Sequence, residues 1–122
     1  MLPFPAMVAV PRALPPAVEA ALVRLRSALS ERFGPRVSEL VLFGSHARGD
    51  AHEDSDVDVL VAIDGLSEED RLAVLDFASL LDSAAPEWVG LSPLVYSSEQ
   101  TARMRAGGRR LFRDIDRDGI RL

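Results

Sequence analysis

The spacing of the apolar residues changes at Gly34-Pro35, and this change restricts the chain to folds that combine helices with a sheet. Upstream, apolar residues three and four positions apart predict an amphipathic helix over residues 17–33, which Gly34 caps and Pro35 cannot continue. Downstream, a compact apolar run predicts a buried strand over Val37–Phe43, and alternating valines predict a second strand that runs to Ile63. We therefore expect an α+β fold in which helices pack on a small mixed sheet.

The second half of the chain predicts further helices around a third strand. Ser67 and Asp70 form a capping-box pattern before a helix over Glu68–Ala84, and apolar residues on more than one side of this helix predict that it is well buried. Residues 88–96 are predicted to form the third strand. Pro93 within that strand indicates a sheet edge or a bulge, because proline cannot donate to a ladder.

Two short helices are predicted near the end of the sequence. Ser97 with Gln100 is a second capping-box pattern, and the helix that it opens ends before the glycine pair at 107–108. A last helix is predicted over residues 109–116. We expect three of its apolar side chains to face inward: Leu111, Phe112 and Ile115.

Length, charge and cysteine content limit the class of protein. With 122 residues the chain suits one compact domain, which we place at residues 17–122 behind an extended arm over residues 1–16. The absence of cysteine excludes disulfides and thiolate metal sites, and a net charge of −5 makes no strong case for DNA binding. No apolar stretch is long enough for a membrane span, and the proline-rich arm lacks the basic region of a signal peptide, so we expect a cytoplasmic protein. Whether copies form a homo-oligomer is left open.

The polar segment between the first two strands holds the residues best suited to chemistry. Asp56 and Asp58 alternate with valines, so both carboxylates are expected on one face of the strand. Adjacent carboxylates repel each other unless a cation lies between them, and oxygen ligands of this kind select Mg²⁺ or Mn²⁺, completed by phosphates. Gly44 allows close backbone approach, and Ser45 offers a hydroxyl, an amide and, if a helix follows, its N-terminus. Arg48 adds a planar guanidinium for phosphate.

The alternative interpretation is that Asp56 and Asp58 are ordinary solvated residues. Asp-x-Asp and Gly-Ser pairs are each weak motifs on their own. However, aspartate is disfavoured inside a strand, and local rules tend to be broken at functional sites. The residues alone therefore favour a metal and phosphate site over solvated polar side chains.

The same segment carries a resemblance to a known superfamily. The matching residues are Gly44-Ser45-x-Ala47-Arg48-Gly49 followed by Ser55-Asp56-x-Asp58. This pattern resembles the signature of the DNA polymerase β-like nucleotidyltransferases, and its length and spacing are most similar to their minimal nucleotidyltransferase (MNT) branch. The order of predicted helices and strands agrees as well, so the resemblance covers nearly all of the chain after residue 16.

The resemblance implies transfer of a nucleoside monophosphate from a nucleoside triphosphate, expected to be ATP, to a protein or RNA acceptor. It implies that Gly44 and Ser45 hold the triphosphate. It also implies that Asp56 and Asp58 are the catalytic residues and bind one or two Mg²⁺ ions. Because genes of this branch are often paired with a helical, toxin-like HEPN protein, the resemblance further implies a HEPN-type partner and an antitoxin role.

The chain departs from the family pattern on the third strand. Members with transferase activity carry a third carboxylate there, which binds the catalytic metal and helps to activate the acceptor. Here the strand contains no acid, Glu87 and Glu99 flank its ends, and alternation places Ser92 at the vacant position. Two hypotheses follow: a Mg²⁺-dependent transferase with an incomplete carboxylate set, or a degenerate module that binds nucleotide or a partner without turnover.

Other residues have simpler interpretations. His46 and His52 are predicted on the surface of the polar loop, and Trp88 and Tyr96 in the core or at its edge. Residues 103–122 hold seven arginines against three aspartates. We interpret them as a solvated helix face, with a basic surface for an acidic partner or RNA as the alternative.

Overall fold

The computed structural model describes residues 14–84 and 88–122, which form an α+β fold. The elements are α1 (Pro16–Phe33), a 3-10 turn (Gly34–Arg36), β1 (Val37–Phe43), α2 (Ser45–Arg48), β2 (Val57–Ile63), α3 (Glu68–Ala84), β3 (Leu91–Ser97), α4 (Ser98–Ala106), α5 (Arg110–Asp118) and β4 (Ile120–Arg121). The expected fold class is confirmed, and the structure adds the short strand β4. Within these two ranges, none of the helices has the length and hydropathy of a membrane span.

The strands form one mixed sheet in the order β3-β2-β1-β4. β1 runs antiparallel to β2 and to β4, whereas β2 and β3 are parallel. A parallel pair needs a long crossover connection, and α3 provides it. As a result, the end of β1 and the beginnings of β2 and β3 lie side by side at one end of the sheet.

One face of the sheet holds the larger core, with α1 and α3 packed on it. Leu22, Leu25 and Leu29 of α1 are buried, as their helical spacing predicts. The side chains of β2 in the same core alternate along the strand: Val57, Val59, Val61 and Ile63. Each such side chain contributes roughly 1.5–3 kcal/mol when it is withdrawn from water, so this face determines the register of β2.

The opposite face has a smaller core, formed with α4 and α5. Leu60 of β2 and Val41 of β1 pack there against Phe112 and Ile115 of α5. Asp58 lies two residues before Leu60 and therefore on the same face of β2, but it is only partly buried. The small core thus ends where the polar residues of the sheet begin.

β3 begins at Leu91 rather than at residue 88, and the backbone around its start is bonded to α3. Asp82 Oδ1 accepts the backbone N–H groups of Val89 and Gly90, each at 3.1 Å. Asp82 Oδ2 accepts the N–H of Leu91 at 2.9 Å. One carboxylate on α3 therefore fixes the backbone that enters β3, and we call this group of three hydrogen bonds the Asp82 clamp.

β3 is an edge strand, and Pro93 lies within it without a shift in register. The N–H of Val57 donates to the carbonyl of Gly90 at 2.8 Å, so the even-numbered residues of β3 direct their backbone groups toward β2. The nitrogen of Pro93 consequently faces the open side of the strand, where its missing N–H removes no ladder bond. The edge, one of the two positions predicted from Pro93, is confirmed.

Some apolar residues lie closer to solvent than the sequence predicts. Leu72 and Leu80 of α3 are exposed, so the expectation of a helix buried on more than one side is wrong. α3 packs through residues such as Val74 and Ala78, and its outer face meets solvent. Leu111 of α5 is also exposed, because it lies about 100° around the helix from the buried residue that follows it.

The arm predicted over residues 1–16 is described only from Leu14 onward, since residues 1–13 lie outside the described residues. Leu14 is buried in the larger core. α1 then begins at Pro16, one residue earlier than predicted. Proline suits the first turn of a helix because the N–H that it lacks would have no intrahelical acceptor there.

Candidate functional site

The turn from β1 into α2 brings the backbone of Gly44 against the carboxylate of Asp58. Phe43, the last residue of β1, is the Cα partner of Asp58 on β2. Gly44 then turns the chain with a φ of +78°. A Cβ at position 44 would overlap Asp58 Oδ2 and lie 3.3 Å from Asp58 Cγ. Glycine is therefore required by the backbone angle and, independently, by the close approach of the carboxylate.

Asp56 and Asp58 stand at the beginning of β2 and influence each other electrostatically. Burial raises the pKa of the Asp58 carboxyl above its ordinary value, and the negative charge of Asp56 raises that pKa further. His46 and then Arg48 act in the opposite direction and lower the same pKa. The two carboxylates are thus close enough to repel each other, and two basic side chains of α2 lie within electrostatic reach of them.

α2 is a single helical turn that carries the predicted nucleotide-binding residues Ser45 and Arg48. It ends at Gly49, whose φ is +83°. The N–H groups of Gly49 and Asp50 both donate to the carbonyl of Ser45, at 2.9 and 3.0 Å. The hydroxyl and amide of Ser45 therefore lie at the start of a closed turn directly after Gly44, as the sequence analysis expects. Their role in binding a nucleotide remains a prediction.

The two basic side chains of α2 differ in environment. His46 is only 9% exposed, so its predicted surface position is wrong: it lines the same cleft as Leu14 and Val18. Arg48 Nε lies 3.3 Å from Asp50 Oδ2, and the Arg48 side chain is partly exposed. An exposed ion pair of this length contributes little to stability.

Ser92 lies beside Asp58. The two residues are Cα partners in the parallel ladder of β2 and β3, so their side chains leave the same face of the sheet. The position that sequence alternation predicts for the missing third carboxylate therefore adjoins the pair, and an exposed serine occupies it. Of the two flanking acids, Glu87 lies outside the described residues, and Glu99 is on α4, beyond the far end of β3.

The Asp56–Asp58 pair fits a divalent cation that is completed by phosphate oxygens. Over the described ranges 14–84 and 88–122, no group of three or more histidine, aspartate or glutamate side chains is arranged to hold a metal on its own. Mg²⁺ is commonly held by one or two carboxylates together with substrate phosphates. The donor set therefore suits a cation that binds with a nucleotide better than a resident structural metal.

Trp88 and Gly90, which lie next to Asp56, have positions that the sequence patterns do not reveal. Trp88, predicted in the core or at its edge, is 64% exposed, just before the segment that the Asp82 clamp holds. Its ring lies against Gly90: a Cβ at Gly90 would come within 2.8 Å of Trp88 Cη2 and 3.1 Å of Asp56 Oδ1. A glycine within the strand predicted over residues 88–96 was the one available sign of such a close approach. An acidic residue on a helix, such as Asp82, carries no comparable sign.

Two curated relatives are similar to part of the chain. It is 52% identical to Protein adenylyltransferase MntA of Thermococcus cleftensis over 44 residues. These residues are 36% of this chain and 42% of that protein. It is 41% identical over 46 residues to a Methanocaldococcus jannaschii protein that is named provisionally as a protein adenylyltransferase. These residues are 38% of this chain and 46% of that protein. The chain thus spans less than half the length of each curated relative that it matches.

A solved structure and a family model complete the comparison. A solved structure of a Sulfolobus solfataricus protein, described provisionally as a nucleotidyltransferase, aligns with 93% of this chain and with 90% of the Sulfolobus chain. The sequence identity is 18% and the TM-score is 0.45. The family model described as a nucleotidyltransferase domain matches residues 22–103, which is more than half of the chain and includes both Gly44 and Asp58. The chain belongs to the nucleotidyltransferase domain family. The resemblance predicted from the sequence is confirmed.

Proposed function

We propose that the protein transfers a nucleoside monophosphate from a nucleoside triphosphate to an acceptor hydroxyl, with Mg²⁺ or Mn²⁺. The observation that carries this proposal is the contact of Gly44 with the Asp58 carboxylate inside the range of the family match. It joins a Gly-Ser turn suited to phosphate with a carboxylate pair suited to a cation. The names of the two relatives support ATP as the donor and a protein as the acceptor. A HEPN-type protein, toward which this chain acts as antitoxin, is the proposed partner.

The side chains of the site bind and orient the triphosphate in this proposal. Gly44 leaves room for the Asp58 carboxylate against the turn, and Ser45 donates its hydroxyl and amide to the triphosphate. Arg48 pairs its guanidinium with a further phosphate oxygen. Asp56 and Asp58 would hold Mg²⁺, which when bound stabilises negative charge on the triphosphate and on the leaving pyrophosphate.

The transfer replaces one bond to phosphorus with another. The acceptor oxygen forms a bond to the α-phosphorus while the bond from that phosphorus to pyrophosphate breaks. Pyrophosphate leaves with the bonding electron pair, and the proton of the acceptor passes to water. Because the family resemblance implies a carboxylate where Ser92 stands, we expect transfer that is slower by roughly two to three orders of magnitude, by analogy with the loss of one oxyanion-hole donor.

Incubation with α-labelled ATP, Mg²⁺ and a cell lysate tests the proposal. The expected result is slow labelling of a macromolecule that disappears with chelator and with Asp58→Asn. Protease sensitivity of the label identifies a protein acceptor, and ribonuclease sensitivity identifies RNA. Labelling that persists in both Asp56→Asn and Asp58→Asn would contradict the assignment of the pair.

A second candidate function is a module that binds nucleotide or a partner protein without turnover. The specific observation in its favour is the serine beside Asp58. Binding of MgATP measured by calorimetry, together with no label transferred after long incubation, distinguishes this candidate from the transferase. Both candidates use the same nucleotide site.

A further inference from the structure

Trp88 is the only tryptophan of the chain, and its side chain is 64% exposed. Large aromatic rings normally bury much of their surface, because few side chains gain as much from leaving water. An exposed tryptophan beside a polar site offers a large aromatic face to a ligand that binds there. The ring must also be held in place if it is to serve as a binding surface.

The backbone of Trp88 leads directly into a rigid segment. The Asp82 clamp fixes the N–H groups of the next three residues, and the carbonyl of Gly90 accepts the N–H of Val57 on β2. Trp88 Cη2 and Cζ2 lie against Gly90, where a Cβ would be 2.8 and 2.9 Å from them. A side chain at position 90 would displace the ring, so Gly90 allows the edge of the indole to lie against the backbone.

The ring lies close to the proposed metal and phosphate site. The Cβ position of Gly90 that meets the indole is also 3.1 Å from Asp56 Oδ1. The indole edge and the Asp56 carboxylate therefore approach the same Cα. A nucleotide whose α-phosphate is held at the carboxylate pair has its nucleoside within a few ångströms of this carboxylate, and thus beside the ring.

A cleft of about 540 Å³ connects Trp88 to α2. Its lining includes Trp88, Val89, His46 and Gly49, with Ser55 among the polar residues. Ligand clefts commonly have volumes of about 300–1,000 Å³ and combine apolar walls with a few polar groups. The same cleft thus borders both Trp88 and His46 of α2, the helical turn that follows Gly44.

We infer that Trp88 stacks on the nucleobase of the nucleoside triphosphate, an inference that rests on the proposed function and extends it from the phosphates to the base. A base offers a flat π-face to an exposed indole, and such stacking contributes affinity without selecting strongly among bases. The acceptor group is a less suitable occupant of this cleft, because the cleft adjoins α2, on the side where the triphosphate binds.

The single tryptophan makes the inference directly measurable. MgATP is expected to quench the emission of Trp88, whereas magnesium tripolyphosphate, which lacks a base, is expected to bind without quenching. By calorimetry, Trp88→Ala is expected to weaken MgATP about 5- to 100-fold and to leave tripolyphosphate affinity unchanged. Trp88→Phe keeps an aromatic face and should retain most of the MgATP affinity. Leu80→Ala is the matched control, because Leu80 is equally exposed, at 67%, but does not line the cleft.

The outcomes separate this inference from the proposed function. If tripolyphosphate binds and Asp58→Asn abolishes that binding, the phosphate site stands. Unchanged MgATP affinity in Trp88→Ala would then overturn the stacking role alone. An equal loss of MgATP and tripolyphosphate affinity in Trp88→Ala would show a structural effect and would also overturn it. If the unmodified protein binds neither ligand, the proposed function fails and the inference fails with it.

Discussion

Asp58 on β2 and Ser92 on β3 are direct partners in a parallel ladder, so a partly buried carboxylate and an exposed hydroxyl leave the same face of the sheet side by side. On its other side Asp58 has Phe43 as its partner, followed by the turn at Gly44. A carboxylate at position 92 would therefore join the existing pair without any change in the backbone. A single substitution at position 92 would therefore place a third carboxylate beside Asp58.

Ser92→Asp is expected to strengthen the binding of Mn²⁺ or Mg²⁺ and to raise the rate of transfer, since it places a third carboxylate beside Asp58. Without metal, the added negative charge should lower the melting temperature, because like charges at one site repel each other. Thermal melts with and without Mn²⁺, together with labelled-ATP transfer, measure both effects. Ser92→Asn is the uncharged control. Brisk transfer by the unmodified protein, unaffected by either change at Ser92, would show that another carboxylate, such as Glu87, completes the site.

Nucleotide binding is expected to require a divalent cation. The Asp56–Asp58 pair repels phosphate until a cation lies between them. Calorimetric titration of ATP should therefore show binding with Mg²⁺ and a loss of at least about tenfold in affinity with chelator, which corresponds to about 1.4 kcal/mol. Equal affinity under both conditions would contradict a metal bridge.

Asp58→Asn is expected to abolish metal-dependent nucleotide binding while leaving the fold intact or slightly more stable, by at most about 1 kcal/mol. The pKa of Asp58 is raised in the folded state, first by burial and then by Asp56, so ionisation above the ordinary value of 3.8 disfavours folding. The stabilisation should therefore be absent below about pH 3.8 and should grow as the pH rises through the folded-state pKa. Melts of the metal-free protein across this range measure it. A variant that melts well below the parent at neutral pH would make the residue structural.

Gly44→Ala is expected to destabilise the protein by about 1–3 kcal/mol through its positive φ alone, and to weaken nucleotide binding because the new Cβ displaces the Asp58 carboxylate. Gly34→Ala is a matched control, since Gly34 also has a positive φ, of +56°, but an added Cβ there meets nothing within 4 Å. Denaturant melts and MgATP calorimetry on both variants separate backbone strain from the effect on the carboxylate. Similar nucleotide affinity in the two variants would show that the contact between Gly44 and the Asp58 carboxylate does not affect nucleotide binding.

Asp82→Ala is expected to destabilise the protein by about 2–3 kcal/mol, because three backbone N–H groups lose a charged acceptor. The loss should also change the emission of Trp88, whose neighbours are released. Asp76→Ala on the exposed face of the same helix should stay within about 0.5 kcal/mol of the parent. Urea unfolding followed by tryptophan fluorescence reports both quantities. An unchanged spectrum and midpoint would show that the clamp does not hold this segment.

The sequence was sufficient for elements that depend on local pattern. The strand limits at Val37–Phe43, the helix Glu68–Ala84 and the capping box at Ser97 follow from periodicity and from side chains that bond within three residues. The inward position of the β2 valines follows from alternation. Such features need no knowledge of distant parts of the chain.

Positions that depend on distant partners could not be predicted in the same way. Trp88 is exposed beside a segment that Asp82 holds from another element, and His46 is buried next to a cleft that it shares with residues at the start of α1. At the site, alternation indicated that Ser92 takes the vacant position, but its pairing with Asp58 depends on the register between β2 and β3. Register is a relation between two strands, and a single strand pattern does not contain it.

The open side of β3 has a consequence for the behaviour of the protein in solution. Of the backbone donors on that side, the clamp occupies the N–H of Leu91, the side chain of Gln100 occupies that of Ser97, and Pro93 has none to offer. A strand from another molecule would find few donors with which to extend the sheet. We therefore expect concentrated samples to resist growth of intermolecular β-structure at this edge, a protection encoded by one proline and two side-chain acceptors.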